Sequence, residues 1–349
     1  MKYYLDTDIE EIYDRNKRLL ESLSGKTVVI TGAAGFLGRY FLGVFAKTNE
    51  SLAKPIRLIG IDSYITSNHP DLDASIRAIP NLEWIHGDAA IASQLPEKFD
   101  YILHAAGIAS PQHYRANPLL TIDVTINVTR ALLEKAKNDN SRMVFFSSSE
   151  IYGDPSPENV PTKEDYRGNV SSRGPRACYD ESKRLGETLC WVYQTYYGTH
   201  VSVVRPFNVY GPGMMPTDYR VLPNFAASIS RGEKLSVYGT GKQTRTFCYI
   251  TDAITGFLKV LAEANDPDVF NVGNPTPEIN MLELVAEISK VKGENLALEL
   301  QNYPETYPAD EPNRRCPDIS KLTALTGFIP VISLSEGLGR FLGWTEANY

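Results

Sequence analysis

The chain has few of the residues from which metal sites and disulfide frameworks are built. Its 349 residues include only four cysteines and five histidines. No two cysteines have the C-x-x-C spacing of a zinc or redox motif. The sequence therefore gives no zinc signature and no disulfide framework, and we expect no metal site. The cysteines are Cys178, Cys190, Cys248 and Cys316.

Basic charge and long apolar runs are also lacking. The net charge is -7, so we expect no nucleic-acid partner and no anionic membrane surface as partner. The most apolar stretch, 27–46, is interrupted by Arg39 and by glycines, which favours a strand, turn and helix over a membrane span. The first residues carry several acids and no signal-peptide pattern, so we expect a cytoplasmic protein.

What the sequence does contain is an ordinary globular composition and a regular alternation of strands and helices. Hydrophobic residues make up 42% and charged residues 22%. The alternation continues to about residue 206 and predicts an α/β fold with a Rossmann-type, doubly wound parallel sheet. We expect an N-terminal helical extension (1–24, with its helix at 8–24), a cofactor-binding domain (25–206) and a smaller C-terminal substrate-binding lobe (207–349). A strand or helix of the last part can return to the first domain.

A glycine-rich loop follows the first predicted strand. Residues 27–30 predict a buried strand, and residues 31–38 form a G-x-x-G-x-x-G loop before a helical pattern. Such glycines permit a tight turn and bring the helix N-terminus close to a pyrophosphate. The second strand ends at Asp62, whose carboxylate can accept hydrogen bonds from an adenosine ribose and repels a 2′-phosphate. The pattern therefore predicts NAD rather than NADP as cofactor.

Tyr179 and Lys183 form a Y-x-x-x-K pair, which places both residues on one face of a helix. A nearby ammonium favours the ionised phenol, so we predict that the pKa of Tyr179 is lowered from about 10 and that Tyr179 is a general base. Alone, this spacing is typical of any exposed helix. The glycine loop makes a catalytic pair the better interpretation. The full predicted cofactor site is Gly32, Gly35, Phe36, Leu37, Gly38, Asp62, Asp88, Ala106, Ser147, Tyr179, Lys183 and Pro206.

Polar residues also follow the buried strand predicted at 143–146. Ligands of a doubly wound sheet bind beyond the carboxyl ends of its strands. Ser148 can hydrogen-bond a substrate hydroxyl and the catalytic tyrosine, and Glu150 can move a proton or shape the site. Taken alone, the same residues are also compatible with a polar turn and an exposed loop acid.

These motifs resemble those of the extended short-chain dehydrogenases/reductases that act on nucleotide sugars (the epimerase/dehydratase type). Within that family the resemblance is greatest to the UDP-glucuronate decarboxylases, also called UDP-xylose synthases, and it covers roughly residues 26–340. The most specific matching stretch is Gly-Pro-Arg-Ala-Cys-Tyr-Asp-Glu at 174–181. Further matching stretches are 148–155, 205–212, 237–245 and 314–319.

The resemblance implies a hydride cycle on a tightly held NAD. Tyr179 would take a proton from the sugar 4-hydroxyl while C4 gives up hydride, with Lys183 on the nicotinamide ribose and Ser148 on the 4-hydroxyl. The 4-ketone would make the C5 carboxylate a β-keto acid, which loses carbon dioxide before hydride returns to C4. Glu150 would act near C5. The resemblance further implies a UDP-sugar as substrate and a homodimer formed through helices of the NAD domain. The substrate-binding residues that it implies are Ser110, Tyr114, Asn208, Arg220, Tyr238, Arg245 and Arg315.

Two other interpretations stay open at this point. The first is another enzyme that oxidises C4, namely a nucleotide-sugar 4,6-dehydratase, 4-epimerase or 4-dehydrogenase. Gly107-Ile108 stands where the resembled family usually has Ser-Pro, so the sugar or the outcome can differ. Dehydratases usually carry Asp-Glu where this chain has Ser149-Glu150, and epimerases usually lack the Glu. The second is an NAD-binding module without catalysis, against which the intact Tyr179 and Lys183 argue.

Overall fold

The computed structural model describes residues 3–66, 70–303 and 312–349. The strands are β1 (Thr27–Thr31), β2 (Arg57–Asp62), β3 (Leu82–His86), β4 (Tyr101–His104), β5 (Arg142–Phe146), β6 (Val201–Pro206), β7 (Val209–Tyr210), β8 (Leu235–Tyr238), β9 (Thr244–Arg245), β10 (Cys248–Tyr249), β11 (Val269–Val272), β12 (Ile279–Asn280), β13 (Leu298–Gln301) and β14 (Arg314–Arg315). The helices are α1 (Asp6–Glu21), α2 (Phe36–Asn49), α3 (Pro70–Arg77), α4 (Pro111–Ala116), α5 (Pro118–Asp123), α6 (Thr129–Asp139), α7 (Ala177–Tyr197), α8 (Val221–Ser230), α9 (Ile250–Glu263), α10 (Met281–Lys292), α11 (Ser320–Thr326) and α12 (Leu334–Asn348). Short 3₁₀ turns lie at Ala89–Gln94, Ser149–Tyr152 and Pro157–Asn159, and a π turn at Val124–Val128 joins α5 to α6.

A seven-stranded sheet forms the centre of the protein. Its strand order is β11-β6-β5-β4-β1-β2-β3, and every pair in it is parallel. The order reverses between β1 and β4, and a crevice at such a reversal binds the ligand in doubly wound folds. This topology confirms the predicted Rossmann-type fold. Three smaller sheets pair β7 with β10, β9 with β12 and β14, and β8 with β13.

The sheet is buried on both faces, because its strands alternate their side chains between two apolar layers. On β1, Val28 and Ile30 belong to one layer and Val29 belongs to the other. The first layer takes in Phe41 of α2 and Phe257 of α9. The second takes in apolar residues of α6 and α7. The two layers cover the faces of the sheet and leave the ends of its strands for ligands.

The chain after residue 206 does not stay in a separate lobe. Strand β11 pairs with β6 at the edge of the central sheet, and α9 packs into the first apolar layer. The predicted division of the chain at 24 and 206 stays a prediction. No helix in the described ranges is long and apolar enough to cross a membrane. The cytoplasmic location likewise stays a prediction.

The N-terminal helix α1 spans Asp6–Glu21 rather than the predicted 8–24, because residues 22–25 turn away before β1. Its apolar residues pack against α2 and α9. Asp8 is fully buried in this contact and accepts hydrogen bonds from the hydroxyls of Tyr249 (2.9 Å) and Tyr40 (3.2 Å). Burial raises the pKa of Asp8 to about 6, and these tyrosine hydrogen bonds and the charge of Arg340 only partly oppose it.

We predict that this carboxyl makes the stability of the protein depend on pH. The folded protein holds the Asp8 proton up to about pH 6, whereas the unfolded chain releases it near pH 4. The free energy of unfolding of the wild type, relative to Asp8→Asn, should therefore fall by roughly 2–3 kcal/mol as pH rises from about 4 to about 6. Urea denaturation across this range measures the difference. Glu10→Gln, at an exposed position of α1, is the control and should give a flat difference. Parallel curves for the wild type and Asp8→Asn would contradict the prediction.

Candidate active site

Two cavities lie beyond the carboxyl ends of the sheet strands and share part of their lining. The first is lined by the glycine-rich loop and the start of α2. The second lies between the Tyr179 end of α7 and the segments that carry the predicted substrate residues. Ala109, Met214 and Arg220 line both, so the cavities meet there. We call the first the dinucleotide cavity and the second the sugar cavity.

The glycine loop brings backbone very close to backbone. Gly32 has a φ of +69°, and a Cβ at this position would lie 2.7 Å from the backbone nitrogen of Ala106, beyond the end of β4. A Cβ on Gly38 would lie 2.3 Å from the carbonyl oxygen of Gly32. Gly35 precedes the first turn of α2, whose free N–H groups point toward the cavity end of the helix. Five predicted cofactor residues line this dinucleotide cavity, namely Gly32, Gly35, Phe36, Leu37 and Gly38.

Asp62, at the end of β2, stabilises this loop through hydrogen bonds. Its carboxylate accepts hydrogen bonds from the backbone N–H of Ala34 (2.9 Å) and of Tyr64 (2.7 Å). Burial raises its pKa, and these two hydrogen bonds oppose the rise. Each carboxylate oxygen can accept a second hydrogen bond, so a role toward a ribose stays compatible with this geometry.

Other predicted cofactor residues lie outside the lining of both cavities. Asp88 is exposed and caps the 3₁₀ turn that follows it, accepting from the N–H of Ala90 at 2.8 Å. The hydroxyl of Ser147 donates to Glu187, which also pairs with Arg205. Tyr179 lines the sugar cavity. The predicted cofactor residues that line neither cavity are Asp62, Asp88, Ala106, Ser147, Lys183 and Pro206.

Helix α7 places Tyr179 and Lys183 on one buried face, as their spacing predicts. The ring of Tyr179 stacks on that of Tyr114, with the ring centroids 5.4 Å apart and the planes 12° from parallel. Nζ of Lys183 lies 5.8 Å from the centroid of the Tyr179 ring and donates to the carbonyl oxygen of Phe146 at 2.8 Å. The phenol and the ammonium therefore lie close to each other, but the ammonium is bound to a backbone carbonyl.

The prediction that Tyr179 has a lowered pKa is wrong for the protein chain by itself. Burial raises the pKa of Tyr179 to about 12, although a hydrogen bond with Ser148 opposes the rise. Burial also lowers the pKa of Lys183 to about 8, so the desolvation that penalises the phenolate penalises the ammonium too. Spacing along the helix reveals the pair but not the depth at which it is buried.

Ser148 and Glu150 lie at the 3₁₀ turn after β5. The hydroxyl of Ser148 accepts from the N–H of Glu150 at 3.2 Å. The carboxylate of Glu150 receives a bidentate contact from Arg315, at 2.7 and 2.6 Å, and a further contact from Arg176. Such paired contacts fix a carboxylate more firmly than a single hydrogen bond does. Glu150 is thus held beside Tyr179 on the wall of the sugar cavity.

Sequence reasoning missed two members of this cluster, Arg176 and Asp180. Nε of Arg176 donates to Asp180 at 3.3 Å, and both side chains are buried. Burial and the charge of Glu150 raise the pKa of Asp180 to about 7, against the charge of Arg176. The signal was present in the sequence, since the two residues are four apart and flank Tyr179.

The predicted substrate residues come together from distant parts of the chain. Arg220 lies where the cavities meet, and Nε of Arg220 donates to Asp218 at 3.0 Å. Several guanidinium groups in one cavity favour an anionic ligand such as a diphosphate. Ser110 lines only the dinucleotide cavity. The other predicted substrate residues, which line the sugar cavity, are Tyr114, Asn208, Arg220, Tyr238, Arg245 and Arg315. In the described residues, no group of three or more His, Cys, Asp or Glu side chains could hold a metal ion.

Comparison with known proteins bears on this site. Residues 28–273 match the family described as "NAD dependent epimerase/dehydratase family". UDP-glucuronic acid decarboxylase 1 of Arabidopsis thaliana is 39% identical over 90% of this chain and 68% of its own length. The protein of the same name from Xenopus tropicalis is 36% identical over 93% of this chain and 73% of its own length.

A solved structure has a fold similar to that of this chain. A mutant of UDP-glucuronic acid 4-epimerase from Bacillus cereus, in complex with UDP-4-deoxy-4-fluoro-glucuronic acid and NAD, superposes with a TM-score of 0.80. It is 25% identical, and the match covers 93% of this chain and all of that one.

The dinucleotide cavity, with its glycine loop and the N-terminus of α2, has the features that a pyrophosphate requires. The chain belongs to the NAD dependent epimerase/dehydratase family and is an NAD-dependent enzyme.

Proposed function

We propose that the protein is a UDP-glucuronate decarboxylase, which converts UDP-glucuronate to a UDP-pentose and carbon dioxide. The observation that carries the proposal is the position of Glu150, held by Arg315 and Arg176 beside Tyr179 in the sugar cavity. The phenol of Tyr179, as general base, and the fixed carboxylate of Glu150 would therefore contact the same bound sugar. The curated relatives at 36–39% identity carry the name of this activity.

In this proposal the residues of the chain handle the protons. Tyr179 accepts the proton of the sugar 4-hydroxyl, and Ser148, which hydrogen-bonds the phenol, would make a second hydrogen bond to the same sugar oxygen. NAD, which the glycine loop and the start of α2 would hold, would supply the acceptor for the hydride of C4 and later the hydride that reduces the 4-ketone. The 4-ketone makes the C5 carboxylate a β-keto acid, so the bond to carbon dioxide breaks and its electrons move toward O4. C5 then takes a proton from water, which the carboxylate of Glu150, fixed by Arg315 and Arg176, is placed to position there. Tyr179 returns its proton to O4 when the 4-ketone is reduced.

The arginines of the two cavities would bind the rest of the substrate. Arg220 and Arg245 line the sugar cavity, and guanidinium groups bind phosphate oxygens in a bidentate manner. Arg220 lies at the junction of the cavities, where it is suited to hold a diphosphate with the sugar toward Tyr179. A UDP-sugar is therefore the substrate class that we propose.

A second candidate is a UDP-glucuronate 4-epimerase. The solved Bacillus cereus relative carries this name, and both activities begin with oxidation at C4. They differ in the fate of the 4-ketone, because an epimerase returns hydride to the other face of C4 and keeps the carboxylate. Gly107-Ile108 adjoins the site, since Ile108 packs against Tyr179 and Tyr114. A change there is one way in which the outcome could shift.

We predict that UDP-glucuronate gives carbon dioxide and a product lighter by that mass, with no net NADH. Mass spectrometry of the nucleotide sugar and the absorbance of NADH measure both results. A product of unchanged mass would support epimerisation. A 4-keto product with stoichiometric NADH would support a simple dehydrogenase, and loss of water from a neutral sugar nucleotide would support a dehydratase. No reaction with UDP-glucuronate, while another sugar nucleotide is oxidised at C4, would rule out the decarboxylase.

We predict that Tyr179→Phe lowers the rate of C4 oxidation by about 10²–10⁴-fold, because a general base contributes about this much. Single-turnover formation of NADH measures the step directly, and bound NAD should be retained. Tyr193→Phe is the matched control. Tyr193 lies on the same helix, donates its hydroxyl to Glu134 at 2.8 Å and lines neither cavity. Near-normal oxidation by Tyr179→Phe would show that the mechanism is incorrect.

We also propose that the protein is a homodimer. Leu185 and Tyr196 of α7 are 49% and 69% exposed, and their spacing places them on one face of the helix. Leu119 of the neighbouring α5 is 75% exposed. Exposed apolar side chains grouped on packed helices favour a protein contact.

We predict that Leu185→Asp combined with Tyr196→Asp gives a monomer, while the wild type has the mass of a dimer. Two carboxylates buried without partners would oppose the contact. Light scattering coupled to size-exclusion chromatography measures the mass. Ile329→Asp, at a position 63% exposed elsewhere on the surface, is the control and should leave the dimer intact. A wild-type monomer, or a double variant that stays dimeric, would contradict this proposal.

A further inference from the structure

Arg39 is a buried cation on the wall of the dinucleotide cavity. It follows Gly38 in the first turns of α2 and is only 5% exposed. Its Nη1 donates to the carbonyl oxygen of Ala34 at 3.2 Å, and its Nη2 donates to that of Gly213 at 2.5 Å. Its Nε is buried and has no hydrogen-bond acceptor in the described part of the chain. The guanidinium thus donates to neutral carbonyl oxygens only, and its Nε has no acceptor.

No carboxylate of the described residues forms an ion pair with this guanidinium. The pKa of Arg39 is lowered by burial to about 10, so the side chain is still charged near neutral pH. A buried charge is costly unless it is paired, and the charge of Asp62 acts on Arg39 without forming an ion pair with it. An anion bound in the cavity would supply the missing pair. Arg39 lines the dinucleotide cavity, together with the glycine loop.

The direction of the side chain places its charge at the glycine loop. Side chains on a helix lean toward its N-terminus. The hydrogen bond to Ala34 shows that the guanidinium reaches back to the loop that precedes α2. A pyrophosphate lies against such a loop and helix N-terminus in dinucleotide-binding folds. The charge is therefore located where an anionic group of the cofactor is expected.

The N-terminal segment completes the surroundings of Arg39. The ring centroid of Tyr3 lies 4.8 Å from Cζ of Arg39, which is a cation–π distance, and Tyr3 lines the same cavity. On the other side, a Cβ on Gly213 would lie 2.2 Å from the carbonyl oxygen of Tyr3. The segment before α1 and the loop at Gly213 therefore close around the guanidinium with no room for a side chain between them.

We propose that Arg39 is a further cofactor-binding residue that holds the dinucleotide pyrophosphate, and that Tyr3 and Gly213 position its guanidinium. The N-terminal segment thereby becomes part of the cofactor site. The inference depends on NAD as the cofactor but not on the proposed decarboxylation, because it is tested by binding without any sugar nucleotide.

The test compares ligands that do and do not carry the pyrophosphate. Isothermal titration calorimetry of the full chain, after removal of bound nucleotide, would measure adenosine, ADP-ribose, NAD and NADP. Arg39→Met keeps the length of the side chain but removes its charge. It should weaken the binding of ADP-ribose and NAD by about tenfold to a hundredfold, the effect of losing a hydrogen bond to a charged group. Adenosine should bind as it does to the wild type.

Three further variants sharpen the comparison. Arg39→Lys should retain part of the affinity, because it keeps the charge without the forked donors. Tyr3→Ala should cause a smaller loss with the same ligand pattern. Lys47→Ala removes a charge from the far end of α2, where Lys47 pairs with Glu50, and should change nothing.

Unchanged affinity of Arg39→Met for ADP-ribose and NAD would overturn the proposal. An equal loss for adenosine would overturn it too, since it would indicate a general structural role. A loss confined to NADP would place the guanidinium at a 2′-phosphate instead. Should Arg39→Met fail to fold, Arg39→Lys and Tyr3→Ala carry the same comparison, and wild-type affinity in both would overturn the proposal.

Discussion

The close approach of two backbone segments at the centre of the sheet is the constraint on which the rest of the structure depends. Gly32 leaves β1 so near to Ala106, beyond β4, that no side chain fits between them. Both strands end at the reversal of strand order, and the cavities open beyond those ends. Asp62 holds the same loop from its other side. A glycine, an alanine and one buried carboxylate therefore set the shape of the dinucleotide cavity.

The features that depend on a local sequence pattern could be predicted from the sequence. The buried strands, the glycine loop and the pairing of Tyr179 with Lys183 depend on residues that are close together along the chain, and periodicity reveals such features. The return of β11 to the sheet was anticipated only in outline, because the pairing with β6 joins segments more than 60 residues apart. Helix α3 was not predicted, although Pro70 suits the first turn of a helix.

The electrostatics of the site were the least predictable part. The spacing of Tyr179 and Lys183 suggests a lowered phenol pKa, but the depth of burial decides its direction, and burial is a property of the whole fold. Glu150 illustrates the same limit. Its sequence neighbours give no sign of Arg315, which arrives from 165 positions later along the chain and fixes both carboxylate oxygens. Sequence patterns thus identify the reactive side chains of a site, but not the distant residues that bind and position them.

Helix α7 links two surfaces that would otherwise be independent. Its N-terminal turns carry Tyr179 and its later turns carry the exposed Tyr196, in one unbroken helix of 21 residues, or about 30 Å. Gly186 lets the helix press against β5, where a Cβ would lie 2.6 Å from the ring of Phe145. The helix can therefore neither bend easily nor slide over the sheet. A contact made at the Tyr196 end could therefore shift the phenol only by moving the whole helix against the sheet, which this packing opposes.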